Sequence, residues 1–332
     1  MNKRVLNIAV SIIVAALFIW LAVRNIDLSD LWSQMQLVTF YWLPVFVIIL
    51  LASHYLRAER WRLLLKKHER DIPRSTLFAG VMTGYFVNVF VPRLGEISRP
   101  VYVAKKQKIS SGNLIGTIVI ERLVDVCTMF LLIGFVAIYL SRDFGALEEM
   151  LGLDQWSRAI YLLVPVALIV SLLLFWGIYK LLLWMESRKV VKNRLLVQFL
   201  TTLRSFSDGM NSLRNVNNWP VFALLTAGIW TGYVLMAYFP FAMLNLGELY
   251  GLGINDAVVL TIVSSVGVSI PTPAGIGSYH LLIQQSMWLL YDVPLGTALT
   301  YATVVHAVTI LCVLAITPVT LWWDKYHTLT NG

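Results

Sequence analysis

Val5–Val23 and Thr297–Trp323 each run without a single charged side chain, and four further segments, 39–56, 114–140, 159–184 and 220–246, are nearly as apolar. A helix needs about 20 residues to cross the roughly 30 Å hydrocarbon core of a bilayer, and each of these runs is of that order. Inside lipid, backbone N–H and C=O groups must be satisfied within the spanning element, so apolar runs of this length can only be helices. The chain is therefore expected to be an all-α polytopic membrane protein with six full spans. Its composition agrees: 58% of residues are hydrophobic and 13% charged, against roughly 25% charged in soluble domains.

The first apolar run follows Lys3 and Arg4 and is not followed by a small-residue cleavage site, so it reads as a retained helix. Cys127 and Cys312 fall inside apolar runs and read as packing residues, with no C-x-x-C or metal spacing. The net charge of +8 does not point to nucleic acid, because the basic residues lie at the ends of apolar segments rather than in a basic domain.

Two more apolar regions, 75–104 and 255–291, are broken in the middle by "PRLGE" and "PTPAGIG". Lysine and arginine are enriched in cytoplasmic loops. Seven lie in 57–74, five in 93–108, and seven at Lys180 and in 185–218, whereas 247–296 contains none. One crossing between 75 and 92 would put a basic cluster outside; a re-entrant hairpin keeps both inside. The second broken region, flanked by Glu248, Asp256 and Asp292, would then dip in from the outer face. The chain reads as span, span, hairpin, span, twice over, with the halves inverted and both termini cytoplasmic. Such inverted repeats are common in transporters, with sites near the midplane where broken helices meet. Two unrelated helices that happen to carry Pro and Gly are the plainer alternative. The expected map is a first repeat over 1–140, an external loop 141–158, a second repeat 159–323 and a tail 324–332. Within the second repeat, 190–214 spaces apolar residues by three and four among basic ones, giving an amphipathic helix for the inner leaflet or for the protein's own cytosolic face.

The ionisable residues within these regions narrow the chemistry. Arg93, Glu96 and Arg99 are spaced by three and would share a helical face, with Asn88 one turn before Pro92 and Gly95 in the break. They suit either a structural ion pair or a phosphate site in which Glu96 orients a guanidinium, since arginine forks match phosphate oxygens. In "IERLVD", Glu121 and Asp125 share a face with Arg122 nearby. That trio is net negative, so Arg93 or Arg99 is expected to pack on it. Arg57, Arg60 and Arg62 read as positive-inside anchors, with Trp61 at the interface. The second break, with Pro271, Thr272, Pro273, Gly275, Gly277 and Ser278, is a neutral polar patch that would line a cavity. His280 and His306 could form a metal pair or proton relay, but interior packing accounts for them equally simply.

Taken together, "NVFVPRLGEISRP", then "ERLVD", then "PTPAGIG" resemble the lysylphosphatidylglycerol synthase transmembrane-region family, also called the flippase-like domain. The matching positions are Asn88, Pro92, Gly95, Glu96, Arg99, Glu121, Arg122, Asp125, Pro271, Pro273, Gly275 and Gly277. The resemblance implies a multi-pass protein of the bacterial inner membrane that moves a lipid, such as an aminoacylated phosphatidylglycerol or a lipid-linked precursor, between leaflets. His280 stands where many relatives carry an acidic residue. The large soluble aminoacyltransferase domain of the two-part synthases is not in this sequence, so a stand-alone member is expected and lysyl transfer is not.

The expected function is thus a lipid flippase or transporter acting on an anionic or lipid-linked phospholipid, with membrane lipids as partners. The alternatives are an intramembrane enzyme that modifies a lipid headgroup, with Glu96 or Glu121 as base, and a non-transporting scaffold subunit. No P-loop, metalloprotease or phosphatase motif is visible, so no cofactor or metal is expected and movement would be passive or ion-coupled.

Overall fold

The computed structural model describes residues 3–140, apart from 25, 27, 66–68 and 110, and residues 216–330. The expected external loop 141–158, the span 159–184 and the amphipathic helix 190–214 lie outside the described residues. Every regular element among those described is helical. They are α1 (Lys3–Val23), α2 (Leu28–Gln36), α3 (Leu43–Leu64), α4 (Arg74–Phe90), α5 (Gly95–Gln107), α6 (Ser111–Leu140), α7 (Trp219–Met243), α8 (Leu246–Tyr250), α9 (Ile254–Ser269), α10 (Ser278–Tyr291) and α11 (Leu295–Thr330). Residues 40–64, 219–243 and 295–326 are long and apolar enough to cross a membrane; Ser11–Val23 and Ile254–Ser269 are shorter apolar stretches. The long apolar helix α6 is interrupted by Glu121, Arg122 and Asp125.

Local chemistry sets the ends. Pro44 and Pro220 sit in the first turns of α3 and α7, where a missing N–H costs nothing. The side chain of Asn218 caps α7 by accepting from Val221 N at 3.1 Å. Asp256 folds back to accept from Gly253 N at 2.8 Å and starts α9.

The two Pro/Gly breaks separate α4 from α5 and α9 from α10. At the first, Val91 leaves helical geometry and Arg93 adopts a left-handed φ of 62°, so the helix restarts only at Gly95. This corrects the expected helical face of three charges: Arg93 belongs to the turn, and only Glu96 and Arg99 share α5. The two helices then run back along each other, with Gly80 against Val103 and Gly84 against Gly95 and Arg99. A Cβ at Gly95 would collide with the carbonyl oxygen of Gly84 and with Asn88, which explains the glycine.

At the second break, Ala274, Gly275 and Gly277 all have positive φ. Gly267 lies against Tyr279, so α9 and α10 also run back along each other. Gly277 abuts α1, with its would-be Cβ 2.6 Å from the carbonyl oxygen of Ala15, and Gln284 donates to Ala22 O at 3.0 Å.

Two main apolar cores, with smaller clusters around Leu64 and around Val38, hold these parts. The larger joins Phe46, Phe241, Leu260, Ile283, Met287 and Tyr301 from α3, α7, α9, α10 and α11. The smaller joins Ala58, Trp61, Leu77, Val81, Val103 and Leu114 from α3 to α6. The cysteines depart from expectation: Cys127 is exposed on α6 and Cys312 is half-buried, so neither belongs to a core. An outward-facing thiol is compatible with an apolar stretch wherever lipid is the solvent.

Candidate functional site

The strongest electrostatic feature lies where α3, α5 and α6 meet. On α3, Arg57 and Arg60 are three residues apart and face α6, where Glu121 and Asp125 are four apart. Arg57 donates to Glu121 Oε1 at 3.0 Å and to Asp125 Oδ2 at 2.9 Å. Arg60 donates to Asp125 Oδ1 at 2.6 Å and lies 3.7 Å from Glu121 Oε1. From α5, Arg99 donates to the same Glu121 oxygen at 3.0 Å. All five side chains are buried, with Arg60 and Glu121 at 0% exposure. Three guanidiniums thus surround two carboxylates, leaving one positive charge in excess.

This reverses two expectations. Arg57 and Arg60 are not interfacial anchors but the centre of the cluster, and Trp61 is fully buried beside them. The apolar run ends near Leu56, yet α3 continues to Leu64 and turns one face of its charged end inward. The second concerns the source of charge: the net-negative trio of Glu121, Arg122 and Asp125 gains its expected counter-charge from three arginines rather than one, which makes the whole cluster positive. Arg99 supplies part of the expected counter-charge, while Arg93 does not: its Nη2 donates to Ser269 O at 2.9 Å, tying the turn after α4 to the end of α9.

Arg99 is held in an unusual cradle. Its guanidinium carbon sits 4.1 Å from the centre of the Trp61 ring, a cation–π distance, and Trp61 Nε1 donates to Thr117 Oγ1 at 2.7 Å. Among the described residues, Arg99 Nε and Nη2 have no hydrogen-bond partner. Beside it, Glu96 pairs with Arg122 at 3.1 Å, both side chains being 43% exposed, and Arg122 also reaches Asp125 at 3.5 Å. Glu96 therefore orients Arg122 rather than Arg93 or Arg99.

Asn88 Oδ1 accepts from Gly95 N at 2.6 Å, capping the restarted helix. A narrow cleft of about 20 Å³ is lined by Arg57, Asn88, Gly95, Glu96, Arg99 and Arg122, enough for one water. Pro92, which lacks an N–H, stands at the break itself.

The residues of the second break form a separate group. Thr272 Oγ1 lies 3.1 Å from Ser278 Oγ, and Ser278 Oγ donates to Gly267 O at 2.8 Å. Pro271 is exposed, and Pro273–Gly275 form a single 3₁₀ turn. The sequence could not fix the spacing of His280 and His306; their rings stand 5.1 Å apart, with Tyr279 4.7 Å from His306. No group of three metal-ligating side chains occurs among the described residues.

Sequence reasoning also missed His54 and Asp324. His54, one turn before Arg57, is buried and stacks on Tyr85 at 4.1 Å. The three- and four-residue spacing of His54, Arg57, Trp61 and Leu64 was the available signal. Asp324, expected to open a tail, is buried within α11. It accepts from Thr76 Oγ1 at 2.7 Å and Tyr102 OH at 2.6 Å, and pairs with Lys106 at 2.6 Å.

A family model described as the lysylphosphatidylglycerol synthase TM region matches residues 8–316, taking in the whole cluster and both breaks. The chain belongs to this family. Among curated proteins, the chain is similar to the UPF0104 membrane protein MJ1078 of Methanocaldococcus jannaschii, with 30% identity over 58% of this chain and 74% of the relative. It is also similar to the UPF0104 membrane protein MJ1595 of the same organism, with 25% identity over 72% of this chain and 71% of the relative. No solved structure matches. The chain is accordingly a multi-pass membrane protein of the lysylphosphatidylglycerol synthase TM region family.

Proposed function

We propose that this protein moves an anionic phospholipid or lipid-linked phosphate between leaflets, with Arg99 as the phosphate-binding group. The observation that carries this reading is the pair of unpartnered nitrogens, Nε and Nη2, on Arg99, buried beside a cleft in a cluster with one surplus positive charge. Ionisable groups inside a membrane are costly and are retained where they pair or serve a pathway. Here Arg99 gives one donor to Glu121, and with Arg57 and Arg60 also on the two carboxylates its remaining donors, Nε and Nη2, are left for a ligand. Its fork suits phosphate oxygens.

In this reading α4–α5 and α9–α10 are re-entrant hairpins from opposite faces, with tips that meet through Arg93 and Ser269, in an inverted repeat of six spans within the plasma membrane. Residues 57–74 and 93–108 would face the cytoplasm. Cysteines introduced at positions 72 and 108 should both be shielded from an impermeant thiol reagent applied outside; labelling of either refutes the arrangement.

Transport is favoured over catalysis, because Glu121 Oε1 serves as counter-ion to both Arg57 and Arg99 at the centre of the cluster. The decisive experiment is leaflet exchange of a labelled anionic lipid in proteoliposomes. Wild type should exchange it, and Arg99→Ala and Arg99→Lys should not at equal reconstitution. Equal rates in all three would overturn the proposal.

A further inference from the structure

A groove of about 390 Å³ opens on the outer surface between α3, α4 and α11, away from the arginine cluster. Its walls are Tyr55, Phe78, Val319 and Trp323, with Arg74, Ser75 and Thr320 also lining it. Asp324 bonds Ser75 and Thr76 across the helix pair, which sets Arg74, Ser75 and Trp323 at one level; Phe78 and Val319 lie about a turn further along. The groove is thus polar and basic at one end and apolar along its length. Its volume lies within the roughly 300–1,000 Å³ of ordinary ligand sites.

The level of the polar end is marked by Trp322, Trp323 and Tyr326, all more than half exposed, as aromatic residues are where helices leave the hydrocarbon for the headgroups. Charge at this end is positive. Arg74 Nε pairs with Glu59 Oε1 at 2.9 Å and Arg62 Nη2 with Glu59 Oε2 at 2.9 Å, so two guanidiniums share one carboxylate. The Arg74 side chain remains 60% exposed.

We propose that this groove is a lipid site, in which one acyl chain lies along Phe78 and Val319 and an anionic phospholipid headgroup sits on Arg74. The apolar length, the aromatic level and the surplus positive charge describe one amphiphile in one orientation, and charge complementarity at the mouth selects an anionic headgroup over a zwitterionic one. The lipid would bridge α4 and α11 beside the buried Asp324 network, and so bind the folded form and stabilise it. The site is independent of transport at Arg99.

The test is thermal unfolding of the full-length protein, delipidated in a neutral detergent and titrated with dioleoylphosphatidylglycerol or dioleoylphosphatidylcholine. Phosphatidylglycerol should raise the transition temperature saturably and phosphatidylcholine should do so at least about fivefold more weakly in concentration, the effect of one basic residue at the headgroups. Arg74→Ala should lose that preference. Thr320→Trp, which fills the groove, should abolish the saturable shift, whereas Arg99→Ala should keep it. Equal responses to the two lipids, or an unchanged phosphatidylglycerol response in both Arg74→Ala and Thr320→Trp, would overturn the proposal, as would a shift lost only in Arg99→Ala.

Discussion

Replacing Glu121 with Gln keeps the shape of the side chain at the centre of the cluster and removes its charge. Glu121 Oε1 accepts from Arg57 and from Arg99, each at 3.0 Å, with Arg60 at 3.7 Å. After the substitution three buried guanidiniums would face Asp125 alone, and the surplus would rise from one positive charge to two. Each hydrogen bond to a charged group is worth about 1.5–3 kcal/mol, so weakening two of them gives a loss of roughly 3–5 kcal/mol, the scale of breaking a buried ion pair. Solvent screening does not soften this, because Glu121 is fully buried. Thermal unfolding of purified protein should register a fall on the order of 6–10 °C. A second substitution, Arg99→Gln, returns the surplus to one and should restore part of the loss, with a coupling of about 1–3 kcal/mol in the double-mutant cycle. A Glu121→Gln protein as stable as wild type, or a double variant no more stable than the sum of its parts predicts, would refute the charge balance assigned to the cluster.

Other substitutions separate stability from transport. Arg122→Ala removes only a half-exposed partner of Glu96 and Asp125, so it should cost no more than about 1 kcal/mol in the same melting assay; Arg57→Ala, which strips two short bonds from buried carboxylates, should cost about 3–5 kcal/mol. Asp324→Asn leaves Lys106 without its carboxylate, and should lower stability by roughly 1.5–3 kcal/mol while leaving lipid exchange per folded molecule unchanged. Gly95→Ala drives a Cβ into the carbonyl of Gly84 and the amide of Asn88, and should reduce the yield of folded protein more than a helix-favouring residue would ordinarily do, as read by size-exclusion chromatography.

The apolar runs were legible because a bilayer leaves the backbone few solutions, and the described residues are helical wherever those runs occur. The first break was legible for a local reason: Pro92 has no N–H to donate and Gly95 is the residue that lets α5 approach Gly84. Glu121 and Asp125 could be placed on one face from their spacing alone. Helix ends were harder. Hydrophobicity stops near Leu56 and again at Trp323, yet α3 runs on to Leu64 and α11 to Thr330, with Arg57, Arg60 and Asp324 finding buried partners beyond the apolar runs. Arg93 was misplaced for the opposite reason, because its spacing from Glu96 has helical meaning only if the backbone between them is helical, and the left-handed turn at Arg93 intervenes.

The arginines of α3 show what counting charges by segment cannot supply. Arg57, Arg60, Arg62 and Arg74 all add to the same basic tally, but the first three are divided by face along α3 and Arg74 stands at the start of α4. Arg57 and Arg60 turn toward α6 and neutralise Glu121 and Asp125, whereas Arg62 and Arg74 stay toward the surface and share Glu59. Orientation rules need only the number of lysines and arginines in a loop, not what each of them faces. Chemistry needs the division. Because two of the four arginines leave the surface to balance the carboxylates of α6, Arg99 is left with donors that no described residue satisfies, and because the other two share a single carboxylate, the mouth of the outer groove keeps a positive charge of its own. Both proposed lipid-binding features therefore draw on the charged end of α3: because its last two turns are helical, Arg57 and Arg60 face the cluster, while Glu59 and Arg62 face Arg74 of α4 at the surface.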